Sequence, residues 1–177
     1  MHLRSAVVAT AALLTASCVT GYKEPPASSP FATVVFKTAS TPAAQEAAKA
    51  AGLGAYQEYG MVEGLTCRQY ARTAQFLYGA GANQPRRVPA GATAYIVGQF
   101  NRTRSGAYTP GVGGSFTMGT CYAMAEFKPV AGHTYDVAID EGTGGCTVSA
   151  IDTASGKAPD DLTVHSRFNC PYITGHD

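Results

Sequence analysis

A chain of 177 residues is long enough for one domain with a sizeable core. With 45% hydrophobic and only 14% charged residues, it is neither a disordered polyelectrolyte nor a long-helix protein. Thirteen basic against 12 acidic side chains give a formal charge of +1, which excludes global electrostatic steering to nucleic acid.

The start of the chain has the parts of a secretory leader: Arg4, a short apolar stretch from Ala6 to Leu14, then small residues up to Cys18. The apolar stretch is too short to span a bilayer, which takes about 20 residues. Residues 1–17 therefore read as a signal peptide. Residues 18–30 (CVTGYKEPPASSP) are rich in Pro and Ser, carry no apolar period and read as a flexible tether, reaching about 40 Å at roughly 3.4 Å per residue. Residues 31–177 then form a single domain.

Phe31–Phe36 is dense in β-branched and aromatic residues and predicts a first strand. Thr41-Pro42, an Ala-rich run and Gly52 predict a short helix, with Thr as N-cap, Pro at the first position and Gly as the stop. Residues 53–80 read as a mixture of helix and strand. Tyr70, Ala74, Leu77 and Tyr78 fit a helical stripe, although Thr73–Tyr78 also suits a strand. A turn at Val88–Gly91 leads into a strand over Ala92–Phe100. Arg102–Gly114, with four Gly and one Pro, reads as a loop or long hairpin tip. Ser115–Phe127 follows as a strand. Tyr135, Val137 and Ile139 alternate with Asp136, Ala138 and Asp140 in the cleanest half-buried strand of the chain. Gly142–Gly145 turns into a strand with Cys146, Val148 and Ala150 on its inner face. A further turn over Asp152–Gly156 precedes a last strand over Leu162–Phe168. The fold expected is mainly β, a β-sandwich of Ig or transthyretin-like type, with one or two short helices in the N-terminal third.

Five cysteines are present. With Cys18 set aside, Cys67, Cys121, Cys146 and Cys170 remain. An even number without any CxxC suggests two disulfides rather than a zinc or thioredoxin-like site, and three pairings are open. The working expectation joins Cys121 to Cys146 and Cys67 to Cys170.

Catalytic motifs fail on inspection. Gly113-Gly114-Ser115-Phe116-Thr117 lacks the final Gly of a nucleophile elbow, and Gly156-Lys157-Ala158 lacks the rest of a phosphate loop. His133 opens a strand and reads as a boundary residue. A hydrolase would need it in a cleft beside a Ser and a carboxylate. Asp140, Glu141 and Asp152 flank glycine turns without the ligand spacing of a calcium loop. No cofactor or metal is expected. The possible contact surface is drawn from Tyr108, Arg102 and Arg104 in the glycine-rich segment, with Arg86 and Arg87.

The ending Leu14-Thr15-Ala16-Ser17-Cys18 resembles the lipobox of bacterial lipoproteins, with Thr15 where Leu is most usual. Ala32–Phe36, Val88–Gly91, Cys121 with Phe127–Gly132, and Cys146 with Asp152–Gly156 resemble pieces of small Gram-negative bacterial lipoproteins, a group with no activity to transfer. The resemblance implies acylation of Cys18, attachment to the membrane through that lipid, and, with Val19 next, an outer-membrane location facing the periplasm. The function expected is that of a non-enzymatic binding or assembly module for an envelope protein or ligand. The alternatives are an inhibitor of an envelope-attacking enzyme and a small periplasmic hydrolase.

Overall fold

The computed structural model describes residues 20–38, 55–77, 83–109, 113–142 and 145–171. Cys18, the predicted Thr41–Gly52 helix and His176 lie outside them. The described residues form ten strands: β1 (Thr20–Gly21), β2 (Phe31–Phe36), β3 (Ala55–Val62), β4 (Tyr70–Leu77), β5 (Gln84–Pro89), β6 (Ala94–Thr109), β7 (Gly113–Phe127), β8 (Thr134–Gly142), β9 (Gly145–Asp152) and β10 (Thr163–His165). A six-stranded sheet runs β1-β4-β3-β6-β7-β10 and a four-stranded sheet runs β5-β2-β8-β9. Pairing is antiparallel except for β1 with β4 and β2 with β8.

The mainly β expectation holds, and no helix occurs among the described residues. Strands β2, β8 and β9 follow the predicted alternation. Val34, Phe36, Val137, Ile139 and Val148 are all at most 1% exposed, and they meet Tyr59, Phe76, Ile96 and Phe127 of the larger sheet in one core. Burying side chains of this size stabilises the fold by about 1.5–3 kcal/mol each, before the entropy of ordering them is counted.

The larger sheet is also covered on its outer face. Val62, Cys67, Tyr70, Val97, Met124 and Cys170 form a second cluster, with Tyr95, Tyr122 and Phe168 packed on it. Burial on both faces explains why Ile96-Val97 and Ala123-Met124-Ala125 are apolar in succession.

Three expectations are corrected. First, the helical stripe at Tyr70, Ala74 and Leu77 is strand β4. The β3–β4 register shifts at Tyr59/Gly60, where Tyr59 faces Ala74 but Gly60 faces Arg72, leaving Thr73 as the extra residue. Such a bulge turns the strand over. Tyr70 consequently joins the outer cluster while Ala74 and Phe76 join the inter-sheet core, so residues four apart lie on opposite faces. Second, of the two readings of Arg102–Gly114 the loop is set aside and the long hairpin holds: β6 and β7 pair down to Thr109↔Gly113. Third, the last strand shrinks to Thr163–His165, with Val164 exposed.

The segment expected to be a flexible tether is held at its start. Thr20 and Gly21 pair with Ala71 and Arg72, the Tyr22 hydroxyl donates to the Arg87 carbonyl at 2.9 Å, and Glu24 meets Arg87 at 2.9 Å. Burial, then Glu24, pushes the Tyr22 phenol up to about 12.

Gly60 lies against the Tyr70 ring, and a Cβ built there falls 2.2 Å from Tyr70 Cε2. That ring cannot yield freely, because it is 5% exposed and its hydroxyl donates to Glu58. We expect Gly60→Ala to destabilise the fold by about 2 kcal/mol through overpacking, read as a lower urea midpoint with the slope unchanged. An unchanged midpoint would show that the outer cluster adapts at no cost.

Candidate functional site

The candidate site is a cleft at the end of the smaller sheet where β8 begins and β9 ends. Strands β8 and β9 pair from Gly142↔Gly145 onward in a register in which Tyr135 faces Asp152. His133, just before β8, therefore comes beside Asp152, the last residue of β9. His133 Nδ1 and Asp152 Oδ2 are 2.8 Å apart. The imidazole also stacks on the Tyr135 ring at 6.2 Å.

Both walls of the cleft are tied down by backbone hydrogen bonds. On one side Gly132 N–H donates to the Phe31 carbonyl at 2.9 Å, and Gly91 N–H to that of Pro129 at 2.8 Å. Gly132 takes a φ of 78°, which a glycine adopts without the steric cost of a Cβ. The Tyr135 hydroxyl accepts from Val130 N–H at 3.0 Å. On the other side Asp152 accepts from Ala154 N–H at 2.9 Å in an Asx turn, and Gly156 N–H donates to the Asp152 carbonyl at 2.8 Å. Asp161 accepts from Lys128 N–H at 3.0 Å and closes the far end.

The cleft encloses about 570 Å³ and is lined by Lys128, His133, Asp152, Ser155, Lys157 and Asp160, among others. With Nδ1 engaged by Asp152, Nε2 of the imidazole is the ring nitrogen left to face a ligand. Ser155 shares the cleft, its hydroxyl accepting from Lys157 N–H at 3.3 Å. The site thus offers cationic, anionic and neutral groups on a fixed backbone.

The Ala154 N–H, and then His133, hold the Asp152 carboxyl below the usual carboxylate range. A depressed folded pKa means stability that is present above the unfolded value of about 3.9 and is lost as the pH falls below it. Asp152→Asn should therefore flatten the acid side of the Tm profile, relative to the parent, as the pH falls below about 4. Parallel profiles would show that the contact carries no such linkage.

The residues singled out from the sequence fall on different strands. Arg86 and Arg87 lie on β5 of the smaller sheet, whereas Arg102 and Tyr108 lie on β6 of the larger one, and Arg104 falls at the β6–β7 register shift. Arg87 is committed internally: it pairs with Glu24 at 2.9 Å and covers the Phe31 ring at 5.4 Å. Arg86 donates to the carbonyl of Pro85 at 2.9 Å. Cys121 and Cys146 are joined in a disulfide between β7 and β9. Cys67 and Cys170 are both buried in the outer cluster.

Sequence reasoning missed Glu58, a 6% exposed carboxylate that accepts from the hydroxyls of Tyr56 and Tyr70 and pairs with Arg72 at 2.9 Å. Burial, then Glu58, pushes both phenols up, that of Tyr56 to about 12. With its oxygens taken, Glu58 is a structural tie between β3 and β4.

Among the described residues no group of three metal-binding side chains occurs, and no helix is present that is long and apolar enough to cross a membrane. No protein-family model, curated protein or solved structure matches the chain. What stands, among the described residues, is a disulfide-bonded arrangement of two β-sheets with a mixed-charge cleft beside His133.

Proposed function

We propose that the chain is an outer-membrane-anchored periplasmic lipoprotein, acylated at Cys18, whose β-sandwich of Ig or transthyretin-like type is a non-enzymatic binding or assembly module. The cleft beside His133 is its contact site, in place of the arginines and Tyr108 suggested by the sequence. The carrying observation is that cleft: about 570 Å³ of open space with opposite charges on a hydrogen-bonded backbone. Preorganised polar groups bind a partner with little ordering cost.

The bound start of the chain bears on the anchor. Only Val19 separates Cys18 from β1, so a lipid on Cys18 holds the domain close against the bilayer. At about 0.8 kcal/mol per buried CH₂, two or more acyl chains suffice for stable residence.

The test is crosslinking in intact membranes, with Cys18→Ala as the control, joined to the intact mass of the mature protein. The expected result is a cleaved chain beginning with acylated Cys18 and a specific envelope component captured by the parent but not by the variant. A soluble chain that retains residues 1–17 would overturn the anchor, and capture that is independent of Cys18 would overturn anchored assembly.

A second reading, a small hydrolase, is favoured by one observation. The 2.8 Å contact of His133 with Asp152, in a cleft shared with Ser155, is the orientation a general base requires. Turnover of simple esters, lost in His133→Ala with the fold intact, would establish it over the binding role.

A further inference from the structure

We propose that Cys67 and Cys170 close a second disulfide, which latches the C-terminal segment over the outer face of the six-stranded sheet. Cys67 lies in the β3–β4 connection and Cys170 in the segment after β10. Both are 0% exposed and belong to one buried cluster with Val62, Tyr70, Val97 and Met124. The neighbouring Cys170 side chain, and then burial, push the Cys67 thiol up. Two cysteine side chains packed as neighbours in one buried cluster are the arrangement from which a bond of about 2.04 Å forms.

The backbone points the same way. Cys67 has a φ of 48°, the one non-glycine residue with positive φ among the described residues, and its N–H donates to the Gly64 carbonyl at 3.2 Å. A left-handed turn is ordinarily given to Gly or Asn, so a cysteine held there is set by what its side chain must reach. The segment it reaches has little backbone pairing of its own after His165, and Phe168 is fixed through its ring on Tyr122 at 5.3 Å. A covalent tie at Cys170 completes that cover.

The chemistry is ordinary thiol–disulfide exchange with a disulfide oxidant such as oxidised glutathione. The Cys67 thiolate attacks the oxidant's disulfide and releases one thiol. The Cys170 thiolate then attacks Cys67 Sγ and releases the second. Two protons leave the protein, and its two electrons reduce the oxidant's disulfide to two thiols. Because both sulfurs are buried in the folded chain, exchange takes place before the C-terminal segment closes, and the finished bond is shielded from reductants.

The test is made on the full chain folded in a glutathione redox buffer, then denatured without reductant, alkylated with iodoacetamide and mapped by non-reducing peptide mass spectrometry. The expected result is a peptide pair linking Cys67 to Cys170 beside the Cys121–Cys146 pair, with no alkylation at either residue. Alkylation of both Cys67 and Cys170 while Cys121–Cys146 stays linked overturns the proposal, as does a link from either residue to another cysteine. A second readout tests the latch itself. In Cys67→Ala/Cys170→Ala, proteolytic cleavage within Ser166–Pro171 should quicken by about tenfold or more under native conditions. An unchanged cleavage rate would contradict the latch even where the bond is found.

Discussion

Replacing Cys121 and Cys146 together by alanine lowers the free energy of unfolding by about 3.5 kcal/mol. The bridge closes 25 residues of sequence and joins β7 of the larger sheet to β9 of the smaller one, so it restricts the unfolded chain and ties the two sheets. Chain entropy for a loop of this length accounts for the figure, and the loss is a large share of the roughly 5–15 kcal/mol that holds a domain folded. The double variant avoids the unpaired thiol that either single change leaves. The measurement is urea unfolding of both proteins under non-reducing conditions. A difference below about 1 kcal/mol would show that packing between β7 and β9 already secures this edge.

Tyr59→Phe carries the second large effect, about 2–4 kcal/mol from the loss of one oxygen. Tyr59 projects from β3 of the larger sheet across the core, its ring against Phe36 at 4.9 Å and edge-on to Phe76 at 6.1 Å. Its hydroxyl donates to the Lys37 carbonyl at 2.8 Å and accepts from Ile139 N–H at 2.8 Å. Strand β2 ends at Phe36, and its pairing with β8 runs only to Phe36↔Val137. The Tyr59 hydroxyl takes over where that ladder stops, satisfying one group on each strand from the opposite sheet. Phenylalanine keeps the ring but leaves the buried Ile139 N–H unpaired, at about 1–3 kcal/mol, and the part-buried Lys37 carbonyl without its donor, at about 1 kcal/mol more. Burial also pushes the Tyr59 phenol upward, so this contribution is whole below about pH 10 and is lost as the pH rises through the folded value. Amide exchange at Ile139, faster in Tyr59→Phe by the same free energy, locates the effect. Equal exchange rates would place the stabilisation elsewhere.

How far the sequence discloses this fold depends on how many faces of each strand are buried. Strands β2, β8 and β9 have one wet face, so Ala32, Val34 and Phe36, or Cys146, Val148 and Ala150, alternate with exposed or half-exposed neighbours. Strand β4 breaks its own period at Thr73, whose hydroxyl donates to the Tyr59 carbonyl at 2.9 Å. A bulge that inverts the faces imitates helical spacing, and no single-strand pattern separates the two. The far half of the β6–β7 hairpin is written in Gly, Ser and Thr, which read as loop until backbone pairing is seen.

The site was hidden for another reason. His133 and Asp152 stand 19 residues apart and belong to segments read separately, one as a strand start and one as a turn. The signal that unites them is the glycine-rich run predicted as a turn over Gly142–Gly145, since the β8–β9 register counted from Gly142↔Gly145 carries Tyr135 opposite Asp152 and so brings the neighbouring His133 alongside. Counting outward from that turn would have found the pair. Glu58 left no such trace, since its partners Tyr70 and Arg72 reach it across the bulged ladder.

The cleft beside His133 is the surface proposed to meet a partner, and photocrosslinking from a single position tests this most directly. Val130, on the cleft rim and 52% exposed, is replaced by a photoreactive amino acid in the anchored protein, with Leu65, 44% exposed in the β3–β4 connection, as the comparison site. The predicted result is one discrete adduct from Val130, weakened by Asp152→Asn and absent from Leu65. An adduct from Leu65 alone, or none from Val130, would contradict the assignment of function to this cleft.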